Sequence, residues 1–369
     1  MCHRKIYKVA AMITGVVLLA GMTACGAREN TEGAETTVPE SMVAGNQTAE
    51  DRKTTEERET EVPAETSVQQ ETEDAIGQEQ QSTESSPETV VAQSEAATAS
   101  PEGQTEPAPG QPVETVGLQQ ITLDPVWEYA DHSKINTGAA VLYRASEESG
   151  RKEIVVGVNA GHGTAGGSKV KTLCHPDGSA KTTGGSTAAG ATEAAAVSGG
   201  MTFQDGTPER TVTLRMAQIL RDKLLASGYD VLMLRDGEDV QLDNVARTVI
   251  CNNVADCHIA LHWDSGDGKD YDKGCFYISV PEALKSMEPV ASHWQQHDAL
   301  GADLVEGLRG QGATIYSKGT MSIDLTQTSY STIPSVDMEL GNGYSDHSDA
   351  TLDTLAEGLL SGIQTYFGQ

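Results

Sequence analysis

The chain has 369 residues, with 54 acidic against 25 basic side chains and a formal net charge of −29. A balance that acidic leaves no basic patch to neutralise phosphates, which excludes nucleic acid as a partner. The acidic side chains are concentrated near the front, and the remaining stretch of about 250 residues suffices for a single core.

Arg4, Lys5 and Lys8 form a positive start, followed by an apolar stretch over 9–22 that is too short for an ordinary membrane span. It ends Leu19-Ala20-Gly21-Met22-Thr23-Ala24-Cys25, which resembles a bacterial lipoprotein signal. The resemblance implies removal of residues 1–24, lipidation of Cys25, and an exported protein anchored in the cell membrane by its lipid and facing the cell wall. Met22 departs from the usual leucine, and an ordinary secretory signal cleaved near Ala24 is the alternative. Residues 25–119 read as a linker rich in Ser, Thr, Glu and Pro. Between 26 and 118, 21 acidic and 4 basic side chains leave a charge of −17, with no aromatic residue. Such a segment buries too little apolar surface to offset its ordering entropy and is expected to be a disordered tether.

Residues 120–150 hold Trp127, Tyr129, Val141, Leu142 and Tyr143 and are expected to form an ordered N-terminal extension, adding an edge strand to the domain over 151–369. That domain opens with a β-branched run, 154–158, which breaks at Gly161-His162-Gly163. This is the pattern of a buried parallel strand delivering a histidine to the carboxyl edge of a sheet. The stretch 164–208 is long and rich in Gly, Ala, Ser and Thr, and is expected to be a mobile loop near that edge. Thr207 then reads as an N-cap, with Pro208 at the first helical position and Glu209 in the first turn. Behind them Val212, Met216, Ile219, Leu220 and Leu224 share a face until Ser227-Gly228 ends the helix.

A strand over 229–234 and a helix over 244–253 follow, then a strand from Cys257 that carries His262. The alternation predicts an α/β fold: one mostly parallel, twisted sheet flanked by helices. Toward the C-terminus, helices are expected over 291–308 and 349–366. Between them a run from Pro334 brings Glu339 to the same edge as the two histidines. His162, Glu209 and His262 are residue types that hold zinc, and Glu339 is placed as a general base, so the set describes a metallohydrolase site with an open coordination position.

Taken in order, Gly161-His162-Gly163, Glu209 opening its helix, Leu234-Arg235-Asp236, Arg247 with Asn252, Ala260-Leu261-His262 and Pro334-Ser335-Val336 leading to Glu339 resemble the zinc-dependent N-acetylmuramoyl-L-alanine amidases that cut peptidoglycan. The resemblance covers roughly residues 153–367. It implies a single catalytic domain in which His162, Glu209 and His262 bind Zn2+. A zinc-bound water would be the nucleophile, with Glu339 as general base and acid, and the bond cut would be the amide between N-acetylmuramic acid and L-alanine. It leaves the identity of any regulatory protein partner open. The chain departs from the family at Asn159, where aspartate is usual, at Trp263-Asp264-Ser265, and in the length of 164–208. The alternatives are a zinc peptidase acting on another amide and a non-catalytic surface lipoprotein that binds the cell wall.

Other residues carry plainer expectations. Glu193 and His175 lie in the long insertion and compete with Glu209 as ligands, but no periodic helix backs Glu193. His258, on the strand of His262, reads as structural. His175, His293, His297 and His347 read as solvated, with His347 near enough to Glu339 in sequence to touch substrate. Arg247 is expected to pair with a carboxylate, and Asp264 to orient a neighbour or make a turn. Cys174, Cys251, Cys257 and Cys275 permit three disulfide pairings, of which Cys251–Cys257 would join a helix end to the next strand; a fully reduced set is the alternative.

Overall fold

The computed structural model describes residues 117–265 and 270–369. The expected signal segment, the lipidation site Cys25 and the linker as far as residue 116 lie outside the described residues. Strand β1 (Leu118–Ile121) pairs antiparallel with β2 (Ala140–Tyr143), so two strands precede β3 (Val155–Ala160). A short hairpin, β4 (Lys171–Leu173) and β5 (Glu193–Ala195), stands apart from the main sheet. Then come α1 (Glu209–Ala226), β6 (Asp230–Met233), α2 (Asn244–Val254) and β7 (Cys257–Asp264). The last third holds β8 (Cys275–Ser279), α3 (Val290–Gly310), β9 (Ile315–Ser322), α4 (Thr326–Tyr330), β10 (Ser335–Asn342) and α5 (Asp349–Tyr366).

The main sheet has eight strands in the order β1-β2-β6-β3-β7-β10-β8-β9. The central strands β6, β3, β7 and β10 run parallel, as the alternation of strands and helices predicts. Side chains alternate across each strand and so sort to two faces. Val156, Val158, Ile259, Leu261, Val336 and Met338 point to one face, where α1, α3 and α5 bury them in the larger core. Met216 and Leu220 of α1 and Leu304 of α3 are fully buried there.

The opposite face carries a smaller core under α2, formed with Ala140, Leu142, Leu232, Ala246 and Ile250. Next to it β7 and β10 present a mostly polar strip: His258, Ala260 and His262 opposite Ser335, Asp337 and Glu339 in register. Asp243 joins the extension to this face. Its Oδ1 caps α2 by accepting from Ala246 N at 2.8 Å, and its Oδ2 accepts from Lys134 N and from Ile135 N at 2.9 Å.

Several expectations are corrected. Pro208, not Thr207, occupies the N-cap of α1, and no side chain caps it; Thr202 forms a β-bridge to Pro208, which fixes the chain there instead. The 164–208 stretch, most of it outside helices and strands, carries a 3-10 turn at Gly167–Lys169 and the β4–β5 hairpin. All four cysteines of the domain are free and buried, so Cys251 and Cys257 are not joined. His297 is buried rather than solvated and accepts from Ser335 N on Nδ1 at 2.9 Å.

Burial holds His297 neutral and lowers its pKa to about 3. Against about 6.5 when unfolded, the unfolded chain binds the extra proton between those values, so this contribution is lost as pH falls below about 6.5, at about 1.4 kcal/mol per pH unit. In His297→Asn the carboxamide oxygen takes over the bond from Ser335 N and cannot titrate. Urea unfolding from about pH 6 down to about pH 4 should therefore show the wild type losing about 1.4 kcal/mol per pH unit more than the variant; equal slopes would show that His297 is not held neutral.

Candidate active site at the carboxyl edge of the sheet

After β3 the chain turns sharply. His162 has φ +65°, a left-handed conformation that costs a non-glycine residue of order 1 kcal/mol and persists only when its surroundings fix it. Two buried arginines fix it. Arg247 from α2 donates to the carbonyl oxygens of His162 (2.7 Å), Ala160 (3.1 Å) and Leu242 (3.1 Å), to Asn159 Oδ1 (3.0 Å) and to Thr164 Oγ1 (2.9 Å). Arg235 donates to the carbonyl oxygens of Gly161 (3.0 Å) and Ala160 (3.2 Å). Arg247 thus braces the fold through carbonyl and amide oxygens rather than through the expected carboxylate.

The turn aims His162 at Glu209, the first residue of α1, and at His262 near the end of β7. His162 Nε2 lies 2.9 Å from Glu209 Oε1, and His262 Nδ1 lies 3.2 Å from that oxygen and 3.1 Å from His162 Nε2. Two glycines make the approach sterically open: a Cβ on Gly161 would sit 2.3 Å from the His262 ring, and one on Gly200 2.8 Å from the His162 ring. His162 Nδ1 donates to the Ser198 carbonyl oxygen at 3.0 Å, which leaves Nε2 with its lone pair turned inward. Glu209 is fixed by Trp263 N on Oε1 (3.0 Å) and Met201 N on Oε2 (2.8 Å). Burial pushes the Glu209 carboxyl up, but the bonds from His162 and His262 overcome it and hold the group well below the usual range. Against its own burial, His262 is raised to about 10 by Asp337, Glu209 and Glu339.

This donor set fits a zinc ion. Two imidazole nitrogens and a carboxylate oxygen converge within 4.8 Å in a buried place, the one such group of three among the described residues. Tetrahedral zinc with bonds of about 2.0–2.2 Å holds its ligand atoms about 3.4 Å apart, within a few tenths of an ångström of these separations. Three donor atoms of these types held this close together form a pocket that a cation can fill.

Glu339 stands directly opposite His262 in the parallel register of β10 and β7, and the strand is irregular just after it. It is thus inside the strand rather than at its end. Its Oε2 is buried without a hydrogen-bond partner among the described residues. Burial first and the neighbouring Asp337 second raise its carboxyl well above the ordinary value. Glu339, the three donors and Asp337 line one cavity of about 490 Å³. Another wall of it comes from the insertion, at Lys181, Gly185–Thr187 and Ser198–Met201.

The insertion is pinned at its far side by Asp324, beyond β9. His175 Nε2 lies 2.9 Å from Asp324 Oδ1, Thr182 N donates to Oδ2 at 2.7 Å, and Lys181 bonds the Asp324 carbonyl. His175 is therefore buried, not solvated, and Glu193 on β5 is exposed and apart from the donor group. His347 pairs with Asp205 at 3.3 Å outside the cavity wall, Asp264 pairs with Lys273, and His258 is buried beside Ser335. Sequence reasoning passed over Asp337, Lys181 and Asp324. For Asp337 a signal existed, since Ser335, Asp337 and Glu339 alternate with apolar residues and so share a face.

The family model for N-acetylmuramoyl-L-alanine amidase matches residues 156–359. That is more than half of the chain, and the chain belongs to this family, which supports a peptidoglycan amidase activity. A comparison with curated proteins finds no match. Among solved structures, the amidase Ami1 of Mycobacterium abscessus is 20% identical over 58% of this chain and 99% of its own, with a TM-score of 0.47. The amidase AmiC2 of Nostoc punctiforme is 17% identical over 59% of this chain and 99% of its own, with a TM-score of 0.44. The catalytic domain of the amidase CwlV from Bacillus (Paenibacillus) polymyxa is 17% identical over 58% and 98%, with a TM-score of 0.42.

Because Arg247 is fully buried and serves five acceptors, Arg247→Met should cost about 3 kcal/mol in urea unfolding, the range for stripping partners from buried polar groups. Arg247→Lys should recover little of it, since an ammonium cannot span the same fork; full recovery by lysine would show that charge alone matters.

Proposed function

We propose that the protein hydrolyses the amide between N-acetylmuramic acid and L-alanine with the help of a zinc ion held by His162, Glu209 and His262. The observation that carries this reading is the convergence of those three donors beside Glu339, opposite His262 on the neighbouring strand. Bound there, zinc would polarise the scissile carbonyl and lower the pKa of a water toward about 7.

The chain's own residues do the rest. His162 is turned to its task by the bond from Nδ1 to Ser198, and Glu209 by the backbone amides of Trp263 and Met201. Glu339 takes a proton from the attacking water and returns it to the leaving amine of L-alanine. Burial and the neighbouring Asp337 raise its carboxyl, and a cation at the neighbouring donors would act in the opposite direction. The cavity, walled in part by the insertion, would receive the acyl and amine sides of the bond.

The setting is part of the same reading. The motif ending at Cys25 supports export and a lipid anchor in the cell membrane, with the acidic segment after it as the tether that lets the enzyme face the wall. Mass spectrometry of the mature N-terminus tests it: a diacylated Cys25 is expected, and an unmodified terminus would remove the anchor.

Incubation of the full chain with purified peptidoglycan should release stem peptides that begin with L-alanine, with release abolished by a chelator and restored by zinc. Release that chelator leaves untouched would reject the metal reading, and peptides beginning elsewhere would point to another amide. Binding without release would favour a silent wall-binding protein. Glu339→Ala should keep zinc and lower kcat by about 10²–10⁴, whereas His162→Ala and His262→Ala should lose metal and activity together; an active Glu339→Ala would remove Glu339 from the mechanism.

A further inference from the structure

The polar face of β10 carries a second carboxylate with no assigned task. Asp337 lies two residues before Glu339, so both side chains leave the strand on the same side, and Asp337 stands opposite Ala260 of β7. The next residue of β7 on that face is His262. Asp337 Oδ2 lies 3.8 Å from His262 Nε2, the nitrogen on the far side of the ring from the donor group. Asp337 is only 9% exposed, and its Oδ1 has no hydrogen-bond partner among the described residues. The nearby Gln327 is occupied elsewhere, donating to Ser335 Oγ at 3.1 Å and to the Val336 carbonyl at 3.2 Å. An ionised carboxylate in such a place is costly unless a positive or proton-bearing group faces it. The group that faces it is the His262 imidazole.

We propose that Asp337 is a positioning residue for His262, holding the imidazole with its proton on Nε2 and its Nδ1 lone pair turned toward His162 and Glu209. This rests on the reading of those three residues as a zinc site. At 3.8 Å the two atoms are too far apart for a hydrogen bond, and the carboxylate acts through its charge on the neutral imidazole: a proton on Nε2 is attracted, and the opposite tautomer is disfavoured. The same charge raises the basicity of Nδ1, as outer carboxylates do for ligating histidines, where their loss typically weakens metal binding 10–100-fold. His162 obtains its orientation in a different way, from the Ser198 carbonyl. The two histidines are thus set by one neutral and one charged acceptor, and the charged one carries the stronger effect on affinity.

The test is zinc affinity of the full chain, measured by competition with a chromophoric chelator, for the wild type, Asp337→Asn, Asp337→Leu and Asp337→Glu. Asn and Leu are expected to bind zinc 10–100-fold more weakly, with Glu restoring most of the loss. Cobalt bound to the Asn variant should show a shifted visible spectrum. Thermal melts of the metal-free proteins should be unchanged or raised for Leu, because a partly paired buried charge has been removed. A merely structural carboxylate would lower those melts and leave zinc affinity where it was. Wild-type zinc affinity in either the Asn or the Leu variant, whichever folds, overturns the proposal; so does an unchanged affinity with a raised KM, which would make Asp337 a substrate contact. If the wild type itself takes up no zinc, the zinc-site reading falls, and that outcome is distinct because no variant then differs from it.

Discussion

The close approach of three donor side chains from distant parts of the chain is the constraint on which this structure turns. Two imidazole nitrogens and a carboxylate oxygen are held within about 3 Å of one another. This arrangement is maintained by rigid elements: the left-handed turn at His162 clamped by two arginines, the first turn of α1 fixed by backbone amides, and β7 locked between β3 and β10. Glycines at 161 and 200 exist where side chains would push the rings apart. The three donors are thus placed by the scaffold rather than by one another.

The sheet makes the convergence possible by dividing labour between its faces. Its apolar face under α1, α3 and α5 supplies the burial that stabilises the domain, at roughly 25 cal/mol for each Å² of apolar surface removed from water. The other face of β7 and β10 is released from that duty, so histidines and carboxylates can accumulate there at two-residue intervals. Helix α1 links the two roles: its body packs on the apolar face while its first residue reaches over the edge to the histidines.

Much of this was legible in the sequence because it depends on local chemistry. The β-branched runs, the helical spacing behind Glu209 and the Gly-His-Gly break fixed the strands, the helices and the edge at which His162, Glu209, His262 and Glu339 meet. What escaped depends on contacts between distant segments. Nothing near Arg247 in the chain says that its partners are main-chain oxygens of the turn at His162. His175 and His297 look solvated because their neighbours in sequence are polar, yet residues from other segments bury them. The insertion has no hydrophobic period of its own, and its shape is set from outside by Asp324.

That anchoring has a consequence for how the domain assembles. The bond between His175 and Asp324 spans 149 residues of chain, so the wall of the cavity cannot close until β9 and the segment after it are in place. The donors on β3, α1 and β7 come together from a contiguous half of the domain, whereas the groove that would receive a glycan-linked peptide depends on the last third. Each doubling of such a loop costs only about 0.6 kcal/mol in closure entropy, so even a span this long takes little from stability. A chain cut short after β7 would retain the three donors in sequence yet lack both Glu339 and the wall, so the site needs β10 and the segment around Asp324 as well.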